Sequence, residues 1–154
     1  MTKLPVQHIW TVICSRSSID TDTNNVSLFN LIEKFTLTVP KEQVEKAKQQ
    51  GARGIVFPVE FEIVTRYRRE DKTKSDAFDS RLRMLNPKGE ETLSNEQKIA
   101  MKEGIDNLRV RNQISGLPVD ENGVYWVVIE TKPVNDANYI EVYRLPLEVV
   151  VNVK

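Results

Sequence analysis

Hydrophobic and polar residues alternate along most of this chain. Across residues 55–67 the odd positions read Ile55, Phe57, Val59, Phe61, Ile63, Thr65 and Tyr67, while the even positions include Glu60, Glu62 and Arg66. A strand sends successive side chains to opposite faces, so this period of two predicts a strand with one dry and one wet face. Leu108, Val110 and Ile114 alternate with Asn107, Arg109, Arg111 and Gln113 in the same way. A third run, Leu145, Leu147, Val149, Val151 and Val153, is rich in the β-branched residues that suit a pleated, half-buried surface. Residues 9–15 are apolar at both parities, which predicts a central strand or one covered on each side.

Shorter segments extend the pattern. Residues 26–39 alternate through Phe29, Leu31, Phe35, Leu37 and Val39, with Glu33 interrupting the inward set. Residues 81–85 form a brief run that ends at the turn Asn86-Pro87-Lys88-Gly89, and residues 124–131 follow the turn Asp120-Glu121-Asn122-Gly123. Residues 41–50 break the pattern: they are charged, Val44 is their one β-branched residue, Pro40 precedes them and Gly51 follows. With Glu42 and Lys46 one turn apart, they predict a short surface helix. Residues 94–103 carry two signals. Ser94 and Gln97 suit a helical capping box with Gly104 as the stop, but Ile99, Met101 and Ile105 recur at spacing two, and strand is the reading adopted. Residues 70–79 and 133–138 read as polar loops. Strands recurring between turn signals predict an all-β fold, a two-sheet antiparallel β-sandwich with one short surface helix, rather than alternating βαβ units.

Composition narrows the class. The chain has 154 residues, the size of one domain, so residues 1–154 are expected to share one core. Cys14 is the one cysteine and His8 the one histidine, which excludes an intramolecular disulfide and leaves a poor ligand set for zinc; no metal or cofactor is expected. Twenty-two basic residues balance twenty-two acidic ones, removing the overall charge that would draw nucleic acid or an anionic membrane. No segment approaches the roughly 20 apolar residues of a membrane span. The start, Met1-Thr2-Lys3-Leu4-Pro5, lacks the apolar region of a signal peptide, so the expected location is cytoplasmic.

Three fragments carry a resemblance. They are Ile9-Trp10-Thr11-Val12-Ile13-Cys14 followed by Val26-Ser27-Leu28-Phe29-Asn30-Leu31-Ile32; the turn Leu85-Asn86-Pro87-Lys88-Gly89; and Gly123-Val124-Tyr125-Trp126-Val127-Val128 leading to Arg144-Leu145-Pro146-Leu147-Glu148-Val149. Their order resembles a family of bacterial domains of unknown function with an immunoglobulin-like or C2-like β-sandwich. The resemblance implies that fold and carries no activity or functional residue with it.

Several clusters are candidates for chemistry. Asp20-Thr21-Asp22-Thr23-Asn24-Asn25 opens like a calcium loop, but Asn25 stands where glycine is wanted and Leu31 where a bidentate glutamate is wanted, so a strand-joining polar loop is the simpler reading. His8 and Cys14 share a parity but lie about 20 Å apart along a strand, too far for a catalytic pair. Cys14 reads as a small apolar filler. Glu60 and Glu62 share a face about 7 Å apart, on what is expected to be open sheet where both stay ionised. Trp10 and Trp126 read as core anchors of opposite sheets. Arg66, Arg68, Arg81, Arg83, Arg109 and Arg111 lie on polar strand faces; if their strands were neighbours they would form a stripe suited to anionic ligands. The carboxylates beside them suit cross-strand ion pairs equally well.

The expected function is therefore that of a noncatalytic protein-interaction module, using end loops or an edge strand, with a protein as partner. The alternative is nucleic-acid or anionic-ligand binding through the arginine-bearing face. No catalytic residue is expected.

Overall fold

The computed structural model describes residues 3–154; Met1 and Thr2, where the N-terminal reading began, lie outside it. Nine strands and one helix follow in the order β1 (Val6–Ile19), β2 (Val26–Leu31), β3 (Lys34–Val39), α1 (Lys41–Gln49), β4 (Ile55–Arg69), β5 (Asp76–Leu85), β6 (Glu91–Met101), β7 (Asn107–Val119), β8 (Gly123–Pro133) and β9 (Ile140–Val153). They form two packed sheets, β2-β1-β4-β7 and β3-β9-β8-β5-β6. The fold is an all-β sandwich.

Each sheet needs one dry face, and alternation supplies it. β4 turns Phe61, Ile63 and Tyr67 inward, where they meet Phe78 and Leu82 of β5, Tyr125 and Ile129 of β8 and Leu147 of β9. All are at most 2% exposed. Tyr67 and Phe78 pack edge to face across the layer, with ring centroids 5.2 Å apart. Burial pushes the Tyr67 phenol up to about 12, so it stays protonated at neutral pH.

The structure corrects several expectations. The sandwich is antiparallel except at one edge, where β3 pairs in parallel with β9. Residues 26–39 are two strands: the chain leaves the first sheet after Leu31 and enters the second at Lys34. Leu37 and Val39 face the core, whereas Leu31 and Phe29 are exposed. The brief run at residues 81–85 is the end of a longer strand that begins at Asp76, inside the expected loop. Residues 94–103 fall largely in β6, as the spacing of two required; the strand ends at Met101, and Gly104 lies in the turn beyond it with φ at 85°.

A bulge in β1 has the widest effect. The register against β4 slips between His8 and Trp10. His8 consequently faces inward and Cys14 outward, so the two do not share a face. The slip also puts Trp10 outside, in register with Arg66. Trp126 is also outward, with the Arg144 guanidinium 5.8 Å from its ring centroid. Neither tryptophan belongs to the core cluster; the inward aromatic positions of β1 and β8 go to His8 and Tyr125.

β1 is divided between two partners. It pairs with β4 from Val6 to Cys14 and with β2 from Cys14 to Ile19. Beyond Cys14 β1 no longer pairs with β4, and the β1–β2 hairpin reaches over the outer face of β4 and β7. Ser17 Oγ donates to Glu62 at 2.6 Å, and at the tip Arg109 donates to the Asn24 carbonyl and side-chain oxygens, each at 2.8 Å. Cys14 and Val64, both on the outer face, are thereby almost wholly buried. The apolar character of residues 9–15 at both parities has its reason in this second cover. Cys14 is the small filler expected, and burial followed by the Glu62 charge pushes its thiol up.

His8 joins the sheets at the open end of the sandwich. Its ring stacks on Tyr143 of β9 at 4.6 Å, and its Nε2 lies 2.8 Å from Thr11 Oγ1, which in turn is 2.9 Å from Thr65 Oγ1. Burial lowers its pKa below 6.5.

Two measurements test this packing. Phe78→Ala removes a wholly buried ring at the centre of the layer, and denaturant unfolding should show a loss of roughly 3–5 kcal/mol. His8 generates the second prediction. Because the native ring resists protonation, the unfolded chain binds the extra proton once pH drops below 6.5. Stability should therefore fall with decreasing pH from 6.5 down to the native pKa, by at most about 1.4 kcal/mol per pH unit. His8→Phe should flatten that segment. The aspartates held below 3.8 by local hydrogen bonds act only at still lower pH.

Candidate functional site

The loops converge at one end of the sandwich, where α1 packs across the ends of β3, β4, β7 and β9. α1 ends in a hydrogen-bonded stop. Gly51 adopts φ 71°, its N–H donates to the Lys48 carbonyl, and the Ala52 N–H donates to the Ala47 carbonyl. This six-to-one and five-to-two pairing turns the chain sharply back toward the sheets. Gly54 then passes so close to β7 that a β-carbon there would stand 2.4 Å from the Val119 carbonyl oxygen. The side chain between these glycines, Arg53, is delivered to Asp120.

Asp120 is the centre of a polar knot. Its Oδ2 accepts from Asn86 Nδ2 at 2.8 Å and lies 3.4 Å from Arg53 Nε. Its Oδ1 lies 2.9 Å from the Tyr125 hydroxyl, whose oxygen accepts the Asp120 and Glu121 N–H groups at 3.1 and 3.3 Å. Burial pushes the Asp120 carboxyl up most strongly. The Asn86 and Tyr125 hydrogen bonds and the Arg53 charge together outweigh it and hold the group below the usual carboxylate range. Arg53 also pairs with Glu90, while Asn86 Oδ1 accepts from the N–H groups of Lys88 and Glu90. The turn expected at residues 86–89 is thus tied to the turn at residues 120–123.

Beside the knot lies a cavity of ≈ 250 Å³. Its apolar walls come from Val39 and Val153 at the sheet edge, Val44 and Ala47 on α1, and Phe57 and Val119 on the sheet ends. Arg53, Asp120, Glu121 and Asn122 rim it. Glu121 Oε1 is buried without a hydrogen-bond partner among the described residues. None of these residues stood out in the sequence as a site. The two glycines spaced around Arg53 and the polar turn at residues 120–123 were the available signals, but what pairs them is tertiary.

The six arginines are divided by the fold. Arg66 and Arg68 on β4 and Arg109 and Arg111 on β7 share the outer face of the four-stranded sheet, whereas Arg81 and Arg83 lie on β5 in the other sheet. One stripe of six is therefore ruled out by strand order. Arg81 and Arg83 both bind the buried Glu130 carboxylate, through Nε at 2.5 Å and Nη1 at 3.2 Å, with Glu96 and Glu91 as further partners. Arg111 lies 3.6 Å from Glu62. Glu62 itself is 6% exposed, not open to solvent as expected, because Ser17 and Gln113 also reach it beneath the hairpin.

The Asp20–Asn25 loop is self-contained. Asp20 Oδ1 accepts the Asp22 and Thr23 N–H groups at 2.9 Å each, as in a side-chain-capped turn. Those bonds lower its pKa. Among the described residues no three His, Cys, Asp or Glu side chains cluster as a metal site. No helix among them is long and apolar enough to cross a membrane.

No known family matches the chain, and no curated protein does. Among solved structures it is similar to the C-terminal domain of Wzt, at 13% identity and a TM-score of 0.53, over 97% of this chain and 76% of that one. The likeness extends to the β-sandwich fold alone.

Gly54→Ala tests the geometry of the knot. The added methyl has only backbone to displace, so residues 52–54 should move off β7 and release Arg53 from Asp120. The expected result is a loss of about 1–3 kcal/mol in denaturant unfolding, with altered amide shifts at Asp120 and Glu121. Unchanged shifts there would contradict the close approach.

Proposed function

We propose that this chain is a noncatalytic protein-interaction module that holds a partner at the α1 end of the sandwich. The observation that carries the reading is the cavity beside the Arg53–Asp120 knot. Its walls are apolar and its rim is polar. A protein side chain with an apolar stem and a polar end matches apolar walls within a polar rim. The stem removes apolar wall from water, and the polar end meets the charged and amide groups of the rim. The knot braces one side of the rim: Asp120 spends both carboxylate oxygens on internal partners and so fixes the rim rather than offering itself for chemistry. A stiff, preorganised surface of this kind limits the ordering cost of association.

Site-directed photo-crosslinking in an extract of the native host tests the reading. A crosslinking residue at Lys48, on the cavity rim, should yield a discrete protein adduct, whereas one at Ser94, exposed on β6, should not. Ala47→Leu, which fills the cavity from α1, should weaken the Lys48 adduct several-fold. Equal adducts from both positions, no adduct from Lys48, or indifference to Ala47→Leu would each overturn the assignment to this end.

A further inference from the structure

A second concavity, on the outer face of the four-stranded sheet, has a different chemistry. Trp10, Arg66 and Arg109 form one row across β1, β4 and β7, with Arg66 directly opposite Arg109 in the antiparallel register. Like charges so placed repel. Among the described residues neither guanidinium has a carboxylate within ion-pair distance, in contrast to Arg81, Arg83 and Arg111.

Their hydrogen-bond partners are neutral. Arg66 Nε donates to Asn107 Oδ1 at 2.8 Å, and Arg109 donates to the Asn24 carbonyl and side-chain oxygens. These bonds aim the guanidiniums without cancelling their charge. Each amide spends its oxygen on an arginine, which leaves its NH2 group as a donor. The tip of the β1–β2 hairpin closes one side, and the space enclosed is ≈ 360 Å³, within the range of small-molecule sites (roughly 300–1,000 Å³). Trp10 supplies an aromatic wall, and no lining residue is acidic.

We propose that this concavity binds a phosphate monoester, with the phosphate between Arg66 and Arg109 and the remainder of a small molecule against Trp10. A dianion balances the two guanidinium charges, and its oxygens accept from both forks and from the asparagine NH2 groups. Toward Arg111 the positive surface stops, because Glu62 neutralises that guanidinium one row further on. On the other side Arg68 adds one more unpaired cation among the described residues but does not line the concavity. A concavity bounded on one side by the hairpin tip, with two free cations in its lining, suits a compact phosphate better than a polymer backbone, which draws on an extended track of charge.

The test uses the intrinsic fluorescence of Trp10. The chain has two tryptophans, so Trp126→Phe leaves Trp10 as the reporter. Inorganic phosphate and adenosine monophosphate are titrated at constant ionic strength, with chloride as control. The expected result is a saturable change with both phosphates and none with chloride. Arg66→Met and Arg109→Met should each weaken it at least about tenfold, as for loss of a charged hydrogen bond, while Arg68→Met changes it less than about twofold.

Stability gives a second readout. In phosphate-free buffer Arg66→Met should raise Tm by removing the repulsion, and phosphate should raise the Tm of the wild-type chain but not of the variant. Should the variants fail to fold, the phosphate-against-chloride titration decides alone. A response equal to that of chloride, no saturation, or an equal loss with Arg68→Met would overturn the proposal. So would a single-stranded oligonucleotide that binds far more tightly with steep salt dependence, since that marks an extended polymer track.

Discussion

The packing of β4 against the opposite sheet is the constraint on which the rest depends. Phe61, Ile63 and Tyr67 must face Phe78, Leu82, Tyr125 and Ile129 for the sandwich to have a dry layer. A slip of one residue would turn all of them to water and bring Glu62 and Arg66 inside. That requirement fixes the parity of β4, and with it the parity of both its neighbours. Every side chain on the outer face of this sheet stands where it does because the inner face is committed.

A sheet with one committed face can still vary at its margins, and the bulges do this. Between His8 and Trp10 the register slips, so β1 places a half-buried histidine inside and a tryptophan outside within three residues. Beyond Cys14 the strand exchanges β4 for β2, and the hairpin reaches over the outer face. Cys14 and Val64 are apolar for that reason, and Glu62 has partners above it as well as beside it. At the opposite end, Gly51 and Gly54 bend the chain from α1 onto β7 and make Arg53 a tether between loops.

Much of this was legible in the chain. Alternation marked β4, β7 and β9, the charged stretch after Pro40 marked α1, and the two-sided apolar run at residues 9–15 marked a covered strand. What was not legible depended on events that alternation does not encode. A bulge is a local register change against a partner strand, so the inward assignment of Trp10 and the shared face of His8 and Cys14 failed together. Residues 26–39 kept an odd-position apolar periodicity across a change of sheet. In β2, however, it is the even positions Val26 and Leu28 that are half-buried, and in β3 the odd ones Phe35, Leu37 and Val39 that are half-buried or buried. The Asp120 knot joins residues 53, 86, 90, 120 and 125, and only tertiary closure brings them within reach.

The arginines carry this point into function. Arg66, Arg81, Arg83 and Arg109 have the same residue type and the same wet-face pattern, yet their surroundings diverge. Arg81 and Arg83 stand next to β8, which presents the buried Glu130 to both. A buried carboxylate requires such cations, so there the guanidiniums are structural and their charge is consumed within the protein. Arg66 stands between Trp10 and Arg109, and strand order gives that row no acid at all. Charge left over in this way costs the folded chain stability. Its place beside two asparagines and an aromatic wall, with no acid in reach, is what sets the proposed ligand-facing pair apart from the ion-paired one.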